Sequence, residues 1–302
     1  MRKSLLVTFA FALLLSACSK STNSASGGSP SANPSASVDC SPSALTLVTP
    51  GKLTVGTDVP AYQPWFAGTG KDGPWNGVPD NGTGNPYSGQ GYESAVAYAI
   101  AQKLGFTKDQ VTWVPVNFNE SYKPGPKNFD FDINEVSVTP ERATAVTFSD
   151  GYFDDNQALV VNKGTPIAKV TSIAGLKPYS LGAQLGTTSY QFIKDTIQPS
   201  KQPSVFPSNA GAVQALKNKQ IDGLVVDLPT AFYVTAVQVP NSKVLGQFEA
   251  EPGGEHFGMV FAKGNSLVRC VNGALTKLRD DGTLKQLQQK WLAKATGAPT
   301  LK

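Results

Sequence analysis

The sequence is poor in the residues on which metal and nucleophilic chemistry depend. Its 302 residues include one histidine, His256, and three cysteines. A catalytic zinc site usually needs several histidine or cysteine ligands, so we expect no metal site. The Gly-x-Ser-x-Gly nucleophile motif and the glycine patterns that cradle phosphates or dinucleotides are also absent. We therefore expect a protein that is not an enzyme and that has no cofactor.

An excess of charge of one sign is missing as well. The chain has 26 basic and 22 acidic residues, a net charge of +4, which falls to +2 without Arg2 and Lys3. So small a net charge does not supply the basic face that a nucleic-acid-binding protein needs. With 40% apolar residues the chain can bury a core. Its length favours two lobes over one.

Hydrophobic runs long enough to span a membrane are absent from the start of the chain. A basic beginning is followed by an apolar run over residues 5–15, too short to cross a bilayer as a helix. Leu15-Ser16-Ala17-Cys18 follows and resembles the lipobox of bacterial lipoproteins, in which Cys18 carries the lipid. We expect a signal peptide over 1–17 and a flexible Ser-rich tether over 18–39. The alternative is an ordinary signal peptide with an incidental cysteine.

The remaining two cysteines are Cys40, just after the tether, and Cys270, in a late helical segment. Outside the cytoplasm an even pair indicates a disulfide. Such a bond joins the start of the fold to its end. Two buried thiols are the alternative.

Strand-like apolar runs alternate with amphipathic stretches from residue 53 onward. The apolar spacing predicts strands at 53–56, 111–116 and 131–138, and a helix at 92–104. This alternation is typical of mostly parallel sheets covered by helices, so the predicted fold class is α/β. Residues 67–90 interrupt it, because they are rich in glycine. Such a long segment is either a lid over a cleft or a surface insert, and the sequence leaves both open.

Several residues suit an anionic group. Arg142 presents a planar fork that binds a carboxylate with two hydrogen bonds. The hydroxyls of Thr187 and Thr188 precede a predicted helix, where free backbone amides favour an anion. The alternatives are structural: Arg142 pairs with Glu141 or Asp150 at the surface, and one of the threonines only caps the helix.

Other residues suit a cationic group or an apolar skeleton. Asp58 and Asp227 each follow a predicted strand and are placed to receive an ammonium group, although Asp227 is equally suited to cap the next helix. Rigid walls for the rest of a ligand are offered by three aromatic residues, Tyr62, Trp65 and Phe118. Taken singly, each of these also fits a core position.

The chain resembles a known family at these residues. In order and spacing, six motifs resemble the extracellular solute-binding proteins of polar amino-acid ABC importers, family 3, over residues 52–292: Gly56-Thr57-Asp58, Gly91-Tyr92-Glu93, Ser137-Val138-Thr139-Pro140-Glu141-Arg142, Phe148-Ser149-Asp150-Gly151-Tyr152, Gly186-Thr187-Thr188, and Ile221-Asp222-Gly223 through Asp227. No single motif is specific, but six in order are.

The resemblance implies a two-lobed type II periplasmic-binding-protein fold that closes on its ligand. We expect lobe 1 over 40–160 and 250–302, lobe 2 over 161–249, and hinge strands near 158–161 and 257–261. The resemblance also implies a role for each site residue. In the family pattern Arg142 and Thr188 bind the ligand α-carboxylate, with Thr187 beside them. Asp227 and Ser137 bind the α-ammonium group. Tyr62 and Phe118 form aromatic walls, and Asp58 lies near the side-chain end of the ligand.

At the position of Glu135, members of the family commonly have a small residue. Glu135 adds a charge to the pocket or points to solvent, and both remain open. With Asp58, an acid here favours a basic or amide amino acid as ligand. The expected protein is a monomer, tethered by lipid to the extracellular face of the cytoplasmic membrane, that delivers a polar amino acid to an ABC permease. Two alternatives are a ligand-sensing domain for a receptor and a secreted dehydratase that uses Glu135 or Asp155 as general acid.

Overall fold

The structure is a computed structural model and describes residues 38–69, 73–75, 83–248, 254–293 and 297–302. The signal peptide, Cys18 and nearly all of the tether lie outside the described residues, as does much of the segment 67–90. Residues from Val38 onward form one compact unit. Within the described ranges, every helix falls short of the length and hydrophobicity that a membrane span requires.

The described residues contain fifteen strands and eight α-helices. In chain order the strands are β1 (Leu53–Thr57), β2 (Ala61–Tyr62), β3 (Thr83–Gly84), β4 (Val111–Pro115), β5 (Phe131–Asp132), β6 (Thr147–Phe148), β7 (Phe153–Asp154), β8 (Gln157–Asn162), β9 (Leu181–Gln184), β10 (Ser204–Phe206), β11 (Gly223–Asp227), β12 (Ser242–Phe248), β13 (His256–Phe257), β14 (Val260–Phe261) and β15 (Thr300–Leu301). The helices are α1 (Tyr92–Lys103), α2 (Phe118–Ser121), α3 (Pro140–Ala145), α4 (Thr188–Phe192), α5 (Asn209–Lys217), α6 (Leu228–Tyr233), α7 (Leu267–Asp280) and α8 (Thr283–Leu292).

Two sheets organise the molecule. The first has the strand order β4-β1-β5-β14-β6, with β1 parallel to β4 and β5. The second has the order β10-β9-β11-β8-β12-β15, with β9 parallel to β10 and β11 and with β8 antiparallel to β11 and β12. The predicted α/β class with mostly parallel sheets is therefore confirmed. Strand β15 extends the second sheet, whereas the sequence division assigns residues 250–302 to the first lobe.

The second sheet is covered on both faces, and its sequence shows why. Successive side chains of a strand point to opposite faces. In β8, Ala158 and Val160 lie in one apolar cluster while Leu159 and Val161 lie in another. A strand that is buried on both sides has to be apolar throughout, as β8 is at these four positions.

The first sheet packs against the terminal helices α7 and α8 and against α1, in one large core that contains Trp65, Tyr92 and Phe257. Cys40 and Cys270 are joined by a disulfide, with their Cα atoms 5.5 Å apart and 230 residues apart in the chain. The predicted disulfide is therefore present. It ties the first described segment to helix α7.

The predicted strand over 131–138 is shorter than expected, because β5 contains only Phe131–Asp132. The chain leaves the sheet after this strand, and Glu135 adopts a left-handed backbone conformation with φ of 52°. Such a conformation is unfavourable for a residue with a side chain and cannot continue a strand. The turn has a consequence for the site, since it directs this segment into the cleft.

Candidate functional site

A cavity of about 320 Å³ lies where the carboxyl ends of parallel strands from both sheets meet. On the first-sheet side its lining follows β1, β4 and β5, and on the second-sheet side it follows β9, β10 and β11. Parallel α/β sheets generally bind ligands at this edge, because the loops that follow the strands converge there. The predicted site residues that line the cavity are Asp58, Tyr62, Phe118, Glu135, Ser137, Thr187, Thr188 and Asp227.

The described lining is acidic. It contains Asp58, Glu120, Glu135 and Asp227, and no lysine, arginine or histidine lies among these lining residues. Glu120 is exposed and forms an ion pair with Lys123, so the other three carboxylates supply the charge of the interior. A cavity with this lining attracts a cation, since a concave surface with one sign of charge concentrates its field on the ligand.

Arg142 lies behind the lining and joins the two sides of the cleft. Thr139 caps its helix, accepting a hydrogen bond from the Arg142 backbone N–H at 3.1 Å. The guanidinium is buried, with 7% of the residue exposed. Its Nη1 donates to the carbonyl of Ser137 and its Nη2 to the carbonyl of Gly186, each at 2.8 Å. It also lies 4.4 Å from the ring centre of Tyr122, a cation–π contact.

Gly186 permits this approach between the two sides. Its φ is 79°, which favours glycine, and a Cβ at this position would lie 2.2 Å from Asn119 Oδ1 and 2.7 Å from the Tyr122 hydroxyl. The next residue, Thr187, caps helix α4, since its side chain accepts a hydrogen bond from the Tyr190 backbone N–H at 3.1 Å. Of the two threonines, Thr187 therefore has the capping contact.

Thr188 points across the cleft and meets Ser137 and Glu255. The Ser137 hydroxyl donates to Glu255 Oε1 at 2.5 Å, and the Thr188 hydroxyl donates to the same oxygen. The two hydroxyl oxygens are 3.2 Å apart. Gln157 Nε2 donates to the other oxygen of Glu255 at 2.9 Å. One carboxylate therefore accepts three hydrogen bonds from groups on both sides of the cleft.

Asp227 ends β11 at the N-cap position of helix α6, but its side chain makes no capping hydrogen bond. It instead accepts from Gln157 Nε2 at 2.9 Å. Burial and the charge of Glu255 raise the pKa of Asp227 to about 7. Nearby, Asp155 is only 4% exposed, and the one hydrogen-bonding neighbour of its side chain among the described residues is the carboxyl group of Asp227. Burial and the charges of Asp227 and Glu255 raise the pKa of Asp155 well above its usual range.

Glu135 faces the cavity, which answers the choice that the sequence leaves open. Its Oε2 accepts from the Thr230 hydroxyl at 3.2 Å, and its backbone N–H donates to Glu93 Oε1 at 2.7 Å. The Thr230 hydroxyl accepts in turn from Trp65 Nε1 at 2.9 Å. Burial and the charges of Glu93 and Asp227 raise the pKa of Glu135 well above its ordinary value.

Asp58 and Tyr62 line the first-sheet side. Burial raises the pKa of Asp58 to about 6, although the carboxylate accepts a hydrogen bond from the Val59 backbone N–H at 2.7 Å. Burial also raises the pKa of Tyr62 to about 12. Trp75, from the described part of the Gly-rich segment, is buried and donates its indole N–H to the carbonyl of Asp58 at 2.8 Å. That part of the segment supports the loop that carries Asp58.

Glu255 and Gln157 are the residues that the sequence did not select. Glu255 stands in a Gly-rich stretch without periodicity, and Gln157 begins a strand that the sequence predicts only as a hinge. No local signal in the sequence predicts that Glu255 lies beside Thr188 or that Gln157 contacts Glu255. Asp155 was selected only as an acid for the enzyme alternative.

Comparison with known proteins identifies the family. The sequence profile of the bacterial extracellular solute-binding proteins, family 3, matches residues 70–294. The chain belongs to this family. Among its relatives, the ABC transporter glutamine-binding protein GlnH of Bacillus subtilis is 31% identical over 217 residues, which cover 70% of this chain and 76% of GlnH. A putative ABC transporter arginine-binding protein of Escherichia coli K12 is also 31% identical, over 53% of this chain and 64% of that protein.

Solved structures agree with this assignment. An ancestral arginine-binding protein, solved with glutamine and with arginine, matches with TM-scores of 0.65 and 0.64, 31% identity, and coverage of 80% of this chain and 98% of that one. An ancestral amino acid-binding protein described as a precursor of cyclohexadienyl dehydratase matches with a TM-score of 0.61 and 30% identity, over 80% of this chain and 95% of that one. The type II periplasmic-binding-protein fold implied by the sequence is therefore confirmed.

Proposed function

We propose that this family 3 protein captures a cationic amino acid outside the cell and delivers it to an ABC permease. The observation that carries the proposal is the cavity itself, whose described lining is acidic and lacks a basic side chain. Relatives named as arginine-binding proteins support the same ligand class. A cationic side chain supplies the positive charge that Asp58 and Glu135 lack among the described residues.

The two ends of the ligand are assigned to different sides of the cleft. We assign the α-carboxylate to Arg142 and Thr188, with the backbone beside Thr187. Asp227 and Ser137 bind the α-ammonium group. Tyr62 and Phe118 form the aromatic walls. These groups come from both sheets, so the closed form completes the ligand's hydrogen bonds and binding favours closure.

The proposed cellular location is supported by the family and by the pattern of the first residues. Family 3 proteins act outside the cytoplasm, and the basic start with a short apolar run supports secretion. We propose that Cys18 carries a lipid that anchors a monomer to the outer face of the cytoplasmic membrane. Metabolic labelling with a fatty-acid analogue tests the anchor, because a Cys18→Ala variant should lose the label and appear in the medium.

A thermal-shift panel of the common amino acids tests the ligand class. We expect L-arginine or L-lysine to give the largest rise in melting temperature, because a ligand that binds only the native state stabilises it by mass action. Largest stabilisation by L-glutamate, with none by L-arginine, would reject the proposal. Incubation of the protein with the stabilising amino acid, followed by mass spectrometry, tests the enzyme alternative, and we expect the amino acid to be recovered unchanged.

A further inference from the structure

Glu255 already accepts the hydrogen bonds that a ligand carboxylate would need. The hydroxyls of Ser137 and Thr188 both donate to its Oε1, and Gln157 donates to its Oε2. Ser137 belongs to the first-sheet side, whereas Thr188 follows β9 and Gln157 begins β8 of the second sheet. Glu255 therefore links the two sides of the cleft.

The charge of Glu255 also acts on Arg142. Burial lowers the pKa of Arg142. The negative charge of Glu255 acts in the opposite direction, because it favours the protonated guanidinium. Among the described residues, no lysine or arginine nitrogen lies within ion-pairing distance of Glu255. Arg142 instead donates to the carbonyls of Ser137 and Gly186. A ligand carboxylate bound at Thr188 would thus lie close to Glu255, and two carboxylates at that distance repel.

We propose that Glu255 is a specificity-determining residue whose carboxylate occupies the ligand-carboxylate position and competes with the carboxylate of the amino acid. This inference rests on the proposed function. An amino acid has to displace Glu255 from Ser137 and Thr188 before it binds. A cation of the same length without a carboxylate leaves these hydrogen bonds intact and gains a further negative neighbour. Glu255 therefore lowers the preference of the site for an amino acid over the corresponding amine.

Calorimetric titration of the wild type and of Glu255→Gln with two probes tests this inference. The probes are L-arginine and agmatine, which is arginine without its carboxylate. The substitution keeps the shape of the side chain and removes its charge. We expect the ratio of the Kd for L-arginine to the Kd for agmatine to fall by about tenfold or more, because the substitution removes the charge that competes with the ligand carboxylate and attracts the amine.

Glu141→Gln is the matched control, because Glu141 is exposed and lies outside the cavity. Its ratio of dissociation constants should equal that of the wild type. An unchanged ratio in Glu255→Gln would overturn the inference, as would a larger loss for L-arginine than for agmatine, which would make Glu255 a direct contact of the amino acid. If the wild type bound neither probe, the proposed function would fail, and competition by Glu255 would fail with it.

A second measurement examines the Glu255 link without any ligand. We expect ligand-free Glu255→Ala to be more open than the wild type, with a larger radius of gyration in small-angle X-ray scattering, because it cannot accept from Ser137, Thr188 and Gln157. Glu141→Ala should scatter like the wild type. Identical profiles for Glu255→Ala and the wild type would show that Glu255 does not hold the two sides together and would overturn the inference.

Discussion

The two sets of polar groups at the cleft differ in how well they are satisfied. The donor group, Arg142, Ser137 and Thr188, already has protein acceptors: two carbonyls for Arg142 and one Glu255 oxygen for the hydroxyls. The acid group, Asp58, Glu135, Asp155 and Asp227, has few donors, and the neighbour of Asp155 is another carboxyl group, that of Asp227.

This difference shows what a ligand has to bring. A buried carboxylate without a donor is unfavourable, and the raised pKa values of the acid group reflect that cost. A ligand that brings positive charge relieves it. At the donor group the ligand gains little unless it replaces an existing acceptor. The acid group should therefore determine which class of ligand binds, and the donor group should determine orientation and closure.

Removal of the Arg142 side chain should have the largest effect on binding. Arg142→Ala deletes the hydrogen bonds to Ser137 and to Gly186, the second of which joins the two sides of the cleft, and leaves a ligand carboxylate without its cation. We expect a loss of about 2 to 5 kcal/mol in binding free energy. Arg142→Lys should recover part of this loss, since it keeps the charge without the planar fork. Calorimetry that gave full affinity for Arg142→Ala would remove Arg142 from the proposed site.

Neutralisation of Asp227 should separate binding from stability. We expect Asp227→Asn to weaken L-arginine binding by about 1.5 to 3 kcal/mol, the range for a hydrogen bond to a charged group. The pKa of Asp227 is raised to about 7 by folding, so the native state binds its proton more tightly than the unfolded chain does. Above pH 7 the ionised Asp227 therefore destabilises the native state.

The ligand-free Asp227→Asn variant should accordingly be more stable than the wild type at pH 8, by about 1 to 2 kcal/mol. The advantage should disappear at pH 4, near the ordinary pKa of an aspartate. Urea unfolding at the two pH values measures both results. If the variant were less stable at pH 8, Asp227 would be a structural residue and not a strained member of the acid group.

Loss of the Thr188 hydroxyl should have a smaller effect. Thr188→Val keeps the shape of the side chain and removes one donor, so we expect binding to weaken by about 1 kcal/mol. Thr188→Ser should retain the wild-type affinity, because it keeps the hydroxyl. A loss in Thr188→Ser with none in Thr188→Val would indicate that the methyl group, and not the hydroxyl, matters at this position.

The pH dependence of binding should be of the same order as the effect of Thr188→Val. As the pH falls from 8 to 5.5, Asp227, with a pKa of about 7, and Asp58, with a pKa of about 6, take up protons and lose their attraction for a cation. We expect the Kd for L-arginine to rise about tenfold over this range, as titration series would show. A Kd that fell instead would mean that the acid group repels the ligand.

The sequence predicts the framework and one part of the site well. Asp58 and Asp227 could be predicted because each follows a run of apolar residues that forms a strand, and the carboxyl ends of parallel strands converge. Glu255 could not, because its position depends on contacts between segments that are far apart in the chain. The left-handed conformation of Glu135 also gives no sequence signal, and it shortens the strand that the apolar pattern of residues 131–138 predicts.

A pair of calorimetric titrations shows whether the cleft selects positive charge. L-arginine and L-citrulline have nearly the same shape, but the ureido group of citrulline is neutral. We predict that L-arginine binds at least about tenfold more tightly, because only its side chain brings a charge to Asp58 and Glu135. Equal or tighter binding of L-citrulline would contradict the account.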